Sequence, residues 1–324
     1  MDAVAAMLSG QHAENAFVIR SDLQAPWSLR LEDRSPLTVI VLLRGTAVLT
    51  IDGEPPVDLA AGDAALVKGT VDYTLSDRPD TPPQALIGPG QLCTKPDGSP
   101  LSDFRDLGTR TWGNVSRGKD PETVVLTGSY PRGGQLGHRL VDHLPPSIVI
   151  GSRQAPGAVA TVVSLLATEL AAADAAQDVV LDRLVDLLTV SLLRAWFDDD
   201  AHRPAWYAAY RDPVVGGVLR RIHHEPDRPW SIDSLARDVG VSRATLARQF
   251  SRQVGEPVMS YLTRWRLDLA ADLLETTDLT VESVATRVGY GSAFSLSAAF
   301  SRHHGLSPTA YQRRTQTGLQ AVGE

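Results

Sequence analysis

The sequence predicts an α+β protein: a β-barrel or jelly-roll N-terminal half with helices after it, then an all-α C-terminal domain. Three observations predict it. Short β-branched runs punctuated by Gly and Asp fill residues 37–77. A helix–turn–helix pattern is written twice between residues 232 and 311. The charge also changes sign along the chain. Residues 1–200 carry 16 Lys+Arg against 26 Asp+Glu, net −10, whereas residues 201–324 carry 15 against 12, net +3. A length of 324 residues favours two domains, and a hydrophobic content of 43% suits packed cores.

In the N-terminal half, Thr38-Val-Ile-Val-Leu-Leu is a continuous apolar run, the mark of a strand covered on both faces. Gly45 interrupts it, Ala47-Val-Leu-Thr-Ile resumes it, and Asp52-Gly53 supplies a hairpin turn. Ala61-Gly62-Asp63 marks a further turn before Ala64–Val67, and Asp72–Leu75 follows Gly69. Strands at this spacing build a barrel or a jelly roll. Residues 78–122 contain Pro79, Pro82, Pro83, Pro89, Pro96 and Pro100 and read as a long irregular stretch, either a flexible loop or a lid.

Ala158–Ala173 and Asp178–Phe197 read as helices. The second carries one apolar stripe of Leu181, Leu184, Val185, Leu188 and Leu192, and another of Val180, Leu187, Val190 and Leu193. A helix apolar on two faces must bury both. One face covers the barrel; the other suits a partner subunit or full burial within its own chain. Asp198–Asp200 ends the helix, and Ala201–Asp212 reads as a linker.

The duplication carries the most information. Copy one runs Leu235-Ala236-x-x-Val239-Gly240, then Leu246, Phe250, Gly255 and Tyr261. Copy two runs Val284-Ala285-x-x-Val288-Gly289, then Leu296, Phe300, Gly305 and Tyr311. The offset is 49 up to the turn glycine and 50 from the leucine onward, so copy two has one extra residue in its turn. Gly240 stands where a helix end needs a left-handed residue, and Ser242 is suited to cap the next helix. Between the copies, Leu262, Trp265, Leu269 and Leu273 recur at helical spacing, so Met259–Glu275 reads as one rigid helix. A single such hairpin is a generic element; two on one stiff connector fit a unit that sets recognition helices in DNA.

The stretch Val284-Ala-Thr-Arg-Val-Gly-Tyr-Gly-Ser-Ala-Phe-Ser-Leu-Ser-Ala-Ala-Phe-Ser-Arg-His-His-Gly-Leu-Ser-Pro-Thr-Ala-Tyr-Gln-Arg resembles the signature of the AraC/XylS family of bacterial transcription regulators. Val241-Ser-Arg-Ala-Thr-Leu-Ala-Arg-Gln-Phe and Tyr261-Leu-Thr-Arg-Trp-Arg resemble the same family, and the match spans about residues 212–314. Leu59-Ala-Ala-Gly-Asp and the strands around it are similar to the cupin domain at the N-terminus of one subgroup. The organisation expected is therefore a cupin-like effector-binding domain over 1–155, helices over 156–200 that cover the barrel and dimerise, a linker over 201–212, an AraC-type DNA-binding domain over 213–315, and a tail over 316–324.

By motif position, the resemblance places Ala244, Ala247 and Arg248 at base edges, Arg248 being the candidate guanine reader, with Arg243, Thr245 and Arg252 on phosphate or solvent. In copy two the matching positions are Ala293, Phe294, Ser295 and Ala298, with Ser292 before them and Arg302 behind. The Arg that many family members carry at position 298 is absent. Copy two is thus expected to dock and to read A·T-rich shape, while copy one reads sequence.

Every one of the 15 cations beyond residue 200 is Arg, a choice that suits phosphate and guanine but also follows from a general Arg-for-Lys bias. Metal-dependent cupins carry a His-x-His pair, a Glu and a later His. Here no histidine lies between His12 and His138, and His138 and His143 lack a third ligand. Asp72 and Tyr73 stand where a histidine would. No metal, no cofactor and no enzymatic activity are expected; a cupin enzyme with a helical appendage is the disfavoured alternative. Trp27, Tyr73 and Trp112 are either walls of an effector cavity or plain core. Expected partners are double-stranded DNA, a small-molecule effector and a second copy of the chain, with RNA polymerase a further candidate. The barrel could also serve dimerisation alone. Cys93 is the sole cysteine, so no internal disulfide forms. Without a signal-peptide n-region or an apolar run of about 20 residues, a cytoplasmic protein is expected.

Overall fold

In a computed structural model of the chain, the described residues run from 17 to 320, apart from 70, 109, 117, 131–140, 142, 143 and 173. His12, His138 and His143 lie outside them. The chain divides into two compact units that part between Trp196 and Phe197.

The first unit holds two sheets. In order of pairing, one runs through residues 105–108, 111–113, 17–23, 123–130, 37–44, 64–68 and 147–150, the other through 57–60, 46–51, 73–76, 28–31, 85–87 and 93–94. The central strands are those with the apolar runs. Strand β3 (Leu37–Arg44) lies between β12 (Thr123–Tyr130) and β6 (Ala64–Lys68) and buries six successive residues. Strands β4 (Thr46–Ile51), β5 (Val57–Ala60) and β7 (Tyr73–Ser76) follow the turns read from the sequence. Strands β1 (Phe17–Leu23) and β2 (Ser28–Leu31) precede the expected region, and β13 (Ser147–Ile150) closes the larger sheet.

Residues 78–122 are not a structureless loop. They contain β8 (Ala85–Ile87), β9 (Cys93–Thr94), β10 (Arg105–Gly108) and β11 (Thr111–Gly113). Two of these pair in parallel with distant strands, β11 with β1 and β8 with β2. Strands of two to four residues carry too little periodicity to be read; β8 and β11 are fixed by partners far away in sequence, and β9 and β10 pair with them.

Helix α1 (Gly157–Ala171) and helix α2 (Gln177–Asp198) complete this unit. The stripe of Leu181, Val185, Leu188 and Leu192 is buried. A side chain at Gly128 of β12 would sit 2.8 Å from Cγ1 of Val185, so glycine there lets the helix lie directly on the strand. Tyr130 fastens the contact, its hydroxyl 2.8 Å from Oγ1 of Thr189 and donating to Asp186 at 3.2 Å. The second stripe splits: Val180 and Leu187 are exposed, Val190 is half-buried and Leu193 is buried.

The second unit is helical. Residues 201–212, expected as a linker, contain helix α3 (Ala205–Arg211), which packs against α4 (Val215–His224) and α6 (Arg243–Val254). The first helix–turn–helix is α5 (Ile232–Asp238) with α6; α7 (Val258–Thr276) connects it to α8 (Val281–Arg287) and α9 (Ala293–His304). Helix α10 (Pro308–Gln320) runs past the expected boundary at 315.

The connector is one helix, as its periodicity predicts, but it does not bury one stripe. Val258, Tyr261, Leu262 and Trp265 enter the core of the first motif. Leu267, Ala270, Ala271 and Leu274 enter the core of the second, with Leu269 and Leu273 only partly buried beside them. At roughly 100° per residue these two sets lie on opposite sides of the helix. Each motif therefore owns a separate core, one on each side of α7.

Candidate nucleic-acid interface

The two motifs are built by the same local chemistry. Ser231 and Thr280 cap α5 and α8, each hydroxyl accepting from the backbone N–H three residues on. Ser242 and Ser292 cap α6 and α9 in the same way. In the turns, Gly240 and Gly289 have φ of 73° and 80°, a conformation that costs other residues a steric penalty. The following residues donate back across the turn, Val241 N to Ala236 O at 3.0 Å and Tyr290 N to Ala285 O at 2.8 Å. Copy two then inserts Gly291 before its cap, which accounts for the change of offset from 49 to 50. Phe250 meets Tyr261 edge-on at 5.6 Å, and Phe300 meets Tyr311 edge-on at 5.5 Å.

On the first recognition helix, α6, the outward positions are Arg243, Ala244, Arg248 and Arg252, with Thr245 and Ala247 partly covered. Arg243 pairs with Asp233 of α5 at 3.3 Å, which ties the recognition helix to the helix before it. Arg248 is exposed and engages no other described side chain. Thr245 gives its backbone N–H to the Ser242 cap.

On the second recognition helix, α9, Phe294 stands 84% exposed. Ser295 and Ala298 are exposed beside it; Ser292 and Ala293 are half-covered. Glu282 of α8 accepts from the Ala293 N–H at 2.9 Å, taking the place of the Asp233–Arg243 pair in copy one. Arg302 turns its Nε back to the Ala298 carbonyl at 3.2 Å.

Three features escaped the sequence reading. Arg266 of α7 donates to the carbonyls of Pro226 at 2.7 Å and Arg228 at 2.8 Å. A side chain at Gly289 would come within 2.7 Å of its guanidinium, so the loop before α5 and the turn of copy two converge on one residue. His223 of α4 is buried, its Nε2 2.7 Å from the Tyr261 hydroxyl and its ring 3.9 Å from that of Trp265. Burial pushes its pKa down to about 3. The third is a cluster around the fully buried Asp268 on α7. An acidic residue set directly between Leu267 and Leu269 was the available signal for it.

In the N-terminal unit, Tyr73 and Trp112 line a cavity of about 50 Å³ with Leu29, Ile40 and Gln91. Trp112 also lines an adjoining open cleft of about 360 Å³ that contains Arg105 and Arg110. Its Nε1 donates to Ser21 at 2.8 Å. Arg110 reaches α2, 2.6 Å from Asp182 and 3.2 Å from Asp178. Trp27 is fully buried in the core and does not line the cavity with the other two aromatics. Cys93 borders both spaces, but burial pushes its thiol pKa up, away from reactivity.

A helical unit that presents two capped recognition helices on one connector defines a double helix–turn–helix DNA-binding regulator. Comparison with known proteins agrees. A cupin family model matches residues 2–198, and a helix-turn-helix domain model matches residues 235–314. The chain is 31% identical over 291 residues to an AraC-like transcription regulator of Streptomyces lividans, covering 89% of this chain and 90% of that one. It is 26% identical to the HTH-type transcriptional regulator AlkR of Acinetobacter baylyi, over 97% of this chain and all of that one. Among solved structures, the DNA-binding domain of AdpA in complex with a target DNA is 32% identical, with 33% of this chain and 95% of that chain covered and a TM-score of 0.31. The chain belongs to the AraC family of transcriptional regulators, with a cupin N-terminal domain. Among the described residues no helix is long and apolar enough to cross a membrane.

Proposed function

We propose that this regulator reads its DNA site mainly through α6, with Arg248 as the side chain that hydrogen-bonds a guanine edge, while α9 docks and senses A·T-rich sequence. The observation that carries this is the contrast at equivalent positions: an exposed, uncommitted guanidinium at 248 against a methyl group at 298. Ala244 and Ala247 flank Arg248 and allow close approach of the helix. Arg243, Thr245 and Arg252 hold phosphates on one side, and Ser292, Ser295 and Arg302 on the other. Ala293, Ala298 and the exposed Phe294 offer apolar contact to thymine methyl groups. Selection of binding sites from a random DNA pool tests the assignment. Arg248→Ala should lose a guanine preference at one position, a discrimination of about 1–3 kcal/mol; identical selected sites would refute it.

The exposed Val180 and Leu187 on α2 support a homodimer formed through the N-terminal unit. The cavity at Tyr73 and Trp112 supports control by a small effector, relayed through Arg110 to α2. RNA polymerase is the partner that such a regulator would contact at a promoter, and the cell interior is where it would work. The size of the cavity favours a second reading. About 50 Å³ is a third of the roughly 150 Å³ that admits benzene, so the domain could serve dimerisation alone. Melting shifts across a panel of metabolites separate the two. A regulatory rather than enzymatic role is supported by the relatives, which are transcription regulators.

A further inference from the structure

At the C-terminal end of the second recognition helix, three side chains with metal-ligand chemistry converge where neither DNA reading nor apolar packing requires them. Asp268 of α7 is 0% exposed, and His303 and His304 close α9. One ligand atom from each lies within 4.8 Å of the other two. Nε2 of His303 is 3.4 Å from Oδ1 of Asp268. Nε2 of His304 lies 3.3 Å from the Leu267 carbonyl. A carbonyl only accepts, so the proton sits on Nε2 and the lone pair on Nδ1. A backbone bond to one ring nitrogen is the arrangement that orients metal-binding histidines. Phe300, with its centroid 4.4 Å away, further restrains the His304 ring.

The charge balance points the same way. A buried carboxylate needs a compensating cation. Arg264 approaches Asp268 only to 3.9 Å and bonds Glu256 more closely, with Nε at 3.1 Å. Asp268, Glu256 and Arg264 together carry one net negative charge beside two imidazoles. Two imidazoles and a carboxylate form a donor set for a borderline divalent ion, zinc above all. Donors at about 2.0–2.1 Å from zinc sit roughly 3.4 Å apart in a tetrahedron. That is the His303–Asp268 spacing already present, and the exposed His303 can adjust its rotamer. Copy one lacks the cluster: Gln253 and Val254 occupy the matching positions, and Gln253 bonds Asp212 at 2.9 Å.

We propose that Asp268, His303 and His304 bind one Zn²⁺, with a fourth position open to water, and so staple the end of α9 to α7. The test uses the full chain, free of tags and stripped with a chelator. Cobalt serves as the visible stand-in, followed by zinc in calorimetry and melting. The wild type should take up one equivalent with a tetrahedral cobalt absorption band and a raised melting midpoint. His303→Ala, at an exposed position, should lose the band and weaken zinc roughly tenfold or more, and zinc should no longer raise its melting midpoint. Asp268→Asn should do the same if it folds. Absence of binding overturns the proposal, and so does binding that survives His303→Ala, which would belong to other histidines.

Discussion

His223 makes the first helix–turn–helix sensitive to acid, and the size of the effect follows from its surroundings. The ring sits against Trp265 with its Nε2 on the Tyr261 hydroxyl, and among the described residues the charges that act on it are those of His224 and Arg264, which add positive potential. Burial holds its pKa near 3 in the folded state, against 6.5 for a free side chain. Between those values the unfolded chain binds more protons, so stability rises with pH and is lost as pH falls through 6.5. At pH 5 the loss relative to neutral pH is about 2 kcal/mol, and its limit near pH 3 is about 5 kcal/mol. That is a large fraction of a typical domain's stability.

The assay is urea unfolding followed by tryptophan fluorescence at pH 7.5 and pH 5.0, since Trp265 reports from against the ring. His223→Gln keeps a polar partner for Tyr261 without a titrating group. The wild type should lose about 2 kcal/mol more than this variant on acidification, whatever the variant's stability at pH 7.5. Equal losses in the two proteins would refute the reasoning.

Two further outcomes follow from the duplication. Ala298→Arg, at an exposed position equivalent to Arg248, should install a guanine preference in the copy-two half of the site, worth about 1–3 kcal/mol in competition binding. A uniform gain on all sequences with steeper salt dependence would mean a phosphate contact instead. Arg266→Ala should cost about 2 kcal/mol of stability through the lost carbonyl bonds. It should also weaken binding to a full site more than to the copy-one half alone, as measured by fluorescence anisotropy.

The parts of this molecule written in local sequence were legible in advance. The cap at Ser242, the left-handed glycine at 240 and the apolar spacing of α7 act within one turn of chain, so the order of residues alone specifies them. Of the four short strands between Ala85 and Gly113, β8 and β11 are held by β2 and β1, more than fifty residues away, β9 and β10 pair with those two, and all four leave no periodic trace. The same holds at the sites. The exposed positions of α6 and α9 follow from helical geometry once the motif is aligned. Arg266, His223 and the Asp268 cluster depend on which side of α7 faces which neighbour. The expected single stripe of Leu262, Trp265, Leu269 and Leu273 hid that rotation, because leucines occur on both sides.

That rotation also lets the two copies of one scaffold differ. Had α7 buried a single stripe, both motifs would share a core, and a change in one would repack the other. With Tyr261 and Trp265 on one side and Ala270, Ala271 and Leu274 on the other, the cores are independent, and substitutions more than about 10 Å apart without shared partners act additively. Copy two can carry Ala298 where copy one has Arg248, expose Phe294 and hold His303 and His304 without cost to the packing of copy one. Arg266 is where that independence fails. It bonds the loop before α5 and lies against the turn at Gly289, so it links the two motifs at the point where the extra residue of copy two enters. A change at Arg266 should therefore alter the tolerated spacing between the two half-sites, whereas a change at Phe250 or Phe300 should alter only the motif that contains it.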